Sequence, residues 1–202
     1  MKRFRPILKG SLWLFGGLFL FSVLFCTTTA KEYGGIYDKT VRLHVLADSD
    51  DERAQELKLL VRDDLLLFLE EELADCQSKE EAAKRIEQLL PALEECVGKT
   101  LSRNGCDLPV SVTLSREPYP RRVYEDCTYP AGTYTSLRVH IGSGRGRNWW
   151  CVVYPPLCLS ASSAAGSYTE REQSFLEGKE EGYELKSAVL ELGARLIGRL
   201  WR

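Results

Sequence analysis

Histidine is almost missing from this chain: 202 residues contain two, His44 and His140. Neither stands in a His-x-x-His or His-Glu-x-x-His spacing, so the usual signatures of zinc hydrolases are absent. No G-x-S-x-G elbow and no phosphate-cradling Walker pattern occurs either. An excess of one charge is also lacking. Twenty-seven basic and 29 acidic residues are mixed along the chain, for a formal net charge of −2. That balance points away from nucleic acid. There is no internal repeat. Even the one long apolar stretch, residues 7–26, is broken by Lys9, Ser11, Gly16 and Gly17. Its most apolar part, residues 11–25, falls short of the roughly 20 residues a membrane-spanning helix needs.

What is present at the N-terminus has the order of an export signal. Met1-Lys2-Arg3-Phe4-Arg5 is basic, the apolar stretch follows, and Thr27-Thr28-Thr29-Ala30 supplies small residues. Residues 1–30 are expected to be either a signal peptide cleaved after Ala30 or an uncleaved membrane anchor. The basic flank places the rest of the chain outside the cytoplasm. Seven cysteines fit such an export. Cys26 belongs to the signal region, which leaves Cys76, Cys96, Cys106, Cys127, Cys151 and Cys158. Six cysteines allow 15 pairings. Cys151 and Cys158 are either bridged, closing a short loop around Pro155-Pro156, or two free thiols.

Periodicity predicts an α+β domain over residues 40–159, after a polar linker at 31–39. Residues 40–47 alternate Val41, Leu43 and Val45 against Arg42, His44 and Leu46, as a strand does. Ser49 and Glu52 have capping-box spacing before a helix at 51–73, with Leu57, Val61, Leu65, Phe68, Leu69 and Leu73 as its apolar stripe. Ser78 and Glu81 repeat that box. Pro91 is expected to end one helix and open another, and Asn104-Gly105 to cap the last turn. Strands are predicted at 109–115 and 133–141, a proline-punctuated turn at 116–120, a short strand at 121–125 and a returning strand at 149–154. Residues 142–146 read as a flexible hairpin loop joining two strands. The sheet is thus mostly antiparallel and covered by helices, with the N-terminal signal or anchor helix before it. Residues 160–182 are poor in large apolar side chains and read as a linker. Residues 183–202 form an amphipathic helix, with Leu185, Val189, Leu192, Leu196 and Leu200 on one face. That face is expected to dock on the domain, on a partner or on a membrane surface.

Few groups are placed to do chemistry. His44 precedes Asp48 and Asp50, and a His/Asp cluster at the end of a strand would suit metal or acid–base work. Helix capping is the competing account of those acids. Cys151 would be a nucleophile if His140 faced it across the hairpin. No cofactor and no metal is implied. These residues define an exported hydrolase or metal-binding enzyme as the alternative reading.

The densest motif is Asn148-Trp149-Trp150-Cys151-Val152-Val153-Tyr154-Pro155-Pro156-Leu157-Cys158. On a strand the two tryptophans point to opposite faces. Upstream stand Tyr129-Pro130-Ala131-Gly132 and Arg42-Leu43-His44-Val45-Leu46-Ala47-Asp48-Ser49-Asp50. These three motifs, in this order between residues 40 and 159, resemble the stage II sporulation protein R family. The resemblance implies a non-enzymatic signal of endospore-forming bacteria, exported across the forespore membrane into the space between the two cells. It implies a partner as well, a membrane-embedded protease of the mother cell that removes the pro-sequence of an early mother-cell sigma factor, pro-sigma-E. Within that reading, Trp149, Trp150, Tyr154, Pro155 and Pro156 are the expected partner-binding residues, because rigid aromatics beside prolines offer contact area at low entropic cost. Arg42 and His44 join them through the first motif.

Overall fold

The computed structural model describes residues 16–17, 35–124, 127–156 and 168–177. The chain divides into two units, Met1–Gly35 and Ile36–Arg202. Of the expected signal or anchor, only Gly16 and Gly17 are described; both are helical and exposed. Cys158 and the amphipathic segment 183–202 lie outside the described residues.

The second unit is built on a four-stranded sheet of order β2-β5-β1-β6. The strands are β1 (Val41–Leu46), β2 (Val110–Tyr119), β5 (Gly132–Ile141) and β6 (Asn148–Tyr154). β1 runs parallel to β5 and antiparallel to β6, and β2 is antiparallel to β5. The α+β class therefore stands, with one parallel pair inside a mostly antiparallel sheet. A separate hairpin pairs β3 (Arg122–Val123) with β4 (Thr128–Tyr129).

Two long helices, α1 (Glu52–Leu73) and α2 (Lys79–Arg103), share a core with one face of the sheet. Val41, Leu43 and Val45 meet Leu57, Val61, Leu65, Ile86, Leu93 and Val97 there. Each such side chain contributes about 1.5–3 kcal/mol by leaving water. The alternation of β1 is as its sequence suggests, yet all six residues are buried. Arg42 and His44 therefore sit beneath a second layer, on the face away from the helices.

The helix ends follow local rules. α1 is capped by Asp51, whose Oδ1 accepts the Ala54 N–H at 2.8 Å, and not by Ser49, whose hydroxyl donates to Asp51. Ser78 caps α2 as its box predicts, and the Glu81 carboxylate reaches back to the Gln77 N–H at 2.8 Å. α2 does not stop at Pro91 but continues to Arg103. Ile86 on one side of the proline and Leu93, Val97 and Leu101 on the other are all buried in the shared core, which offsets the one backbone hydrogen bond that proline removes. Gly105, at φ +67°, closes the helix. Its N–H and that of Cys106 return to Ser102 and Leu101, the paired bonds of a left-handed cap.

Three expectations change at the sheet. β2 runs on through Pro118 to Tyr119 where a turn was expected; as an edge strand it has no outer neighbour to miss the proline's N–H. Residues 142–146 do not form a hairpin, because β6 pairs with β1 and leaves β5 on β1's other side. The loop instead crosses the end of β1 and is fastened there. Asp48 Oδ1 accepts the Ser143 N–H at 2.5 Å, Asp50 Oδ1 accepts the Arg147 N–H at 2.6 Å, and the Gly146 N–H donates to the Ala47 carbonyl at 2.9 Å. Lys58 of α1 adds a bond to the Arg147 carbonyl at 3.1 Å. A side chain at Gly146 would collide with the Ser49 backbone. Lastly, the expected linker 160–182 contains a short helix, α3 (Glu170–Leu176).

A buried arginine as candidate functional site

Arg42 has no exposed surface. β1 aims its side chain away from the helices, into rings contributed by four different segments. Its guanidinium carbon lies 4.5 Å from the centroid of Tyr119, 5.1 Å from Tyr129, 5.1 Å from Tyr134 and 5.8 Å from Tyr124. Nε donates to the Cys151 carbonyl at 3.0 Å and Nη2 to the Tyr124 hydroxyl at 2.8 Å. Among the described residues Nη1 has no hydrogen-bond partner. No carboxylate pairs with Arg42 among the described residues. Removing a guanidinium from water costs several kcal/mol. Here the faces of four rings, each worth about 2 kcal/mol to a desolvated cation, offset that cost.

The layer continues outward. Tyr37 meets Tyr134 edge to face at 4.8 Å and donates to the Ala131 carbonyl at 2.9 Å. Tyr134 donates to the Pro130 carbonyl at 2.7 Å. The hydroxyl of Tyr168, just before α3, bonds with those of Thr40 at 2.8 Å and Tyr129 at 3.1 Å. Lys39 pairs with Glu172 of α3 at 2.7 Å. Burial pushes the pKa of Tyr119, Tyr124, Tyr129, Tyr134 and Tyr168 up, so all are neutral phenols that donate and accept without charge.

His44, two residues along β1, is sealed under Trp150, which stacks on it at 3.8 Å and 13°. Its Nδ1 lies 3.3 Å from Glu117 Oε2, an oxygen that also accepts from Ser136 Oγ at 2.7 Å. The other Glu117 oxygen meets Arg138 at 3.2 Å. Burial lowers the pKa of His44 below its ordinary 6.5, opposed by the charge and hydrogen bond of Glu117. Arg122 lies over Trp150 at 5.1 Å.

The residues expected to form one partner surface divide between two faces. Trp149 lies on the helix side under Arg62, 4.3 Å from its ring, and Trp150 on the arginine side. Both are half-buried, Pro155 is buried, and Tyr154 donates to the Cys76 carbonyl at 3.2 Å. Arg42 is fully buried and His44 is 5% exposed, so both support the layer from within. Cys151 is buried and takes part in a disulfide, while Cys76, Cys96 and Cys106 are free. His140 is paired in register with Leu46 and Ser111, not with Cys151. Asp48 and Asp50 hold the crossing loop and do not meet His44. Among the described residues no three His, Cys, Asp or Glu side chains group closely enough to hold a metal ion.

Of the rings around Arg42 only Tyr129 stands in a sequence motif; Tyr119, Tyr124 and Tyr134, and Glu117 beside them, do not. Strand parity was the available signal: Tyr134 and Ser136 lie opposite Leu137 and Val139 on β5, as Arg42 and His44 lie opposite Leu43 and Val45 on β1.

The three sequence motifs thus meet in space. The first supplies Arg42 and His44, the second Tyr129 and the Pro130 and Ala131 carbonyls, and the third Trp150 and the Cys151 carbonyl. Residues 37–164 match the family described as Stage II sporulation protein R. The chain belongs to this family. "Stage II sporulation protein R" of Bacillus subtilis (strain 168) is 33% identical over 145 residues, which cover 72% of this chain and 65% of that protein. No solved structure matches. Membership gives the chain a role in sporulation. The matched range begins at Tyr37 and takes in the whole sheet and every ring around Arg42.

Proposed function

We propose that this chain is an exported sporulation signal that acts by binding, not by catalysis. It crosses the forespore membrane, as a secreted or N-terminally anchored protein, and meets a membrane-embedded protease of the mother cell. It favours that protease's active state and so promotes removal of the pro-sequence from pro-sigma-E. A ligand shifts such an equilibrium only by its difference in affinity for the two states. A rigid binding face serves this better than a yielding one.

One observation carries the reading: the three motifs of the family converge on a closed, ring-packed layer instead of an open cleft. Each group proposed for hydrolysis is engaged elsewhere. His44 is sealed by Trp150 and Glu117, Cys151 is in a disulfide, and Asp48 and Asp50 fasten a loop. Because β6 is an edge strand, the contact is assigned to a partner that clasps this edge and meets the exposed parts of Trp149 on one face and Trp150 on the other, with Tyr154 and Pro156, held in place by Arg42, His44 and Pro155.

Co-purification tests this. The full chain, exported by a non-sporulating host that also makes the protease, is expected to be retained with the detergent-solubilised protease. Trp150→Ala should weaken retention while the chain still accumulates. A folded, exported chain that is not retained would refute the proposal.

A further inference from the structure

Among the described residues, four large apolar side chains are exposed: Leu59 at 37%, Leu60 at 36%, Leu67 at 68% and Val123 at 70%. Three of the four are on α1. Helical spacing puts Leu60 and Leu67 on the side of α1 opposite its buried stripe, among the exposed acids Glu56, Asp63, Glu70 and Glu71, with Leu59 at the edge of that face. α1 is acidic as a whole, with seven acidic and three basic residues. Such a face suits an apolar stripe with positive flanks.

The chain contains one. In residues 183–202 the stripe Leu185, Val189, Leu192, Leu196 and Leu200 is accompanied by Lys186, Arg195, Arg199 and Arg202, against only Glu184 and Glu191. Twenty residues make a helix of about 30 Å, close to the roughly 33 Å of the 22 residues of α1. The point of departure also fits. Lys39, which holds Glu172 of α3, lines one groove with Asp38, Cys76, Gln77, Ser78, Lys79, Glu80 and Tyr154. That groove lies at the turn that ends α1, and the five residues 178–182 span at most about 17 Å when extended.

We infer that residues 183–202 dock on the exposed leucine-and-acid face of α1. The tail runs along the helix with its leucines against Leu59, Leu60 and Leu67 and its arginines beside Glu56, Asp63, Glu70 and Glu71.

Limited trypsin digestion of the full chain, as exported by a bacterial host, tests the docking. Cleavage after Lys186, Arg195 and Arg199 is followed by mass spectrometry. The docked tail resists. The double variant Leu60→Glu/Leu67→Glu is expected to be cut there at least tenfold faster while the domain still unfolds cooperatively, since neither side chain belongs to the apolar core. Leu192→Glu/Leu196→Glu, changed on the tail side, should show the same release. Equal cleavage of the unaltered chain and the α1 variant would overturn the inference. So would protection that disappears on dilution, which would make a second copy the occupant.

Discussion

Arg42 is the residue on which the layer depends. Without it four ring faces lose their cation, and the Cys151 carbonyl and Tyr124 hydroxyl lose a charged donor. Arg42→Ala is expected to cost about 3–5 kcal/mol, the range for truncating a large, fully buried side chain and leaving a cavity, read as a shift in the denaturant midpoint. Arg42→Lys should recover only part of this, because an ammonium cannot reproduce the planar fork. His44 adds a pH dependence of definite sign. Its folded pKa lies below the ordinary 6.5, so the unfolded chain binds the proton first as pH falls. Stability is complete above about 6.5 and declines as pH drops from there through the folded value. His140, also lowered by burial, adds in the same direction. The facing groups are Glu117 and Tyr119 from β2, Arg138 from β5 and Asn148 and Trp150 from β6. His44→Gln should flatten the stability profile between pH 7 and 5. An unchanged slope would mean that other groups set it.

At the scale of elements, structure is legible in the sequence where a rule is local and hidden where pairing is remote. The alternation of β1, the Ser78 cap and the Asn104-Gly105 stop depend on neighbours within a few residues, and all three are present. Pro91 was misjudged because the burial of Ile86, Leu93, Val97 and Leu101 outweighs one missing hydrogen bond. The loop at 142–146 was misjudged because its glycines suit a hairpin equally well; only the placement of β1 between β5 and β6 makes it a crossing. The arginine layer was half legible: its motifs were visible, but the rings belong to segments that meet only in the sheet. Two changes test these elements by thermal or denaturant unfolding. Ser78→Ala should cost about 1 kcal/mol, the usual worth of a helix cap. Gly146→Ala should cost more, about 1–3 kcal/mol, because its new methyl meets the Ser49 backbone and forces the crossing loop from its seat.

For the whole molecule, the two faces of the sheet have different work. The helix side supplies the apolar core and, on the outside of α1, the acidic seat assigned to the tail. The other side fixes β1, β5 and β6 through one buried cation, so that Trp150 is held between His44 and Arg122 instead of moving freely. That arrangement suits a protein whose output is a binding event. The most direct test is reconstitution. The protease and pro-sigma-E are made in a host that does not sporulate, with and without this chain, and the substrate's size is followed by immunoblot. The account predicts shortening only when the exported chain is present, and loss of shortening with Trp150→Ala at equal chain levels. An unshortened substrate beside a folded, exported chain would contradict it.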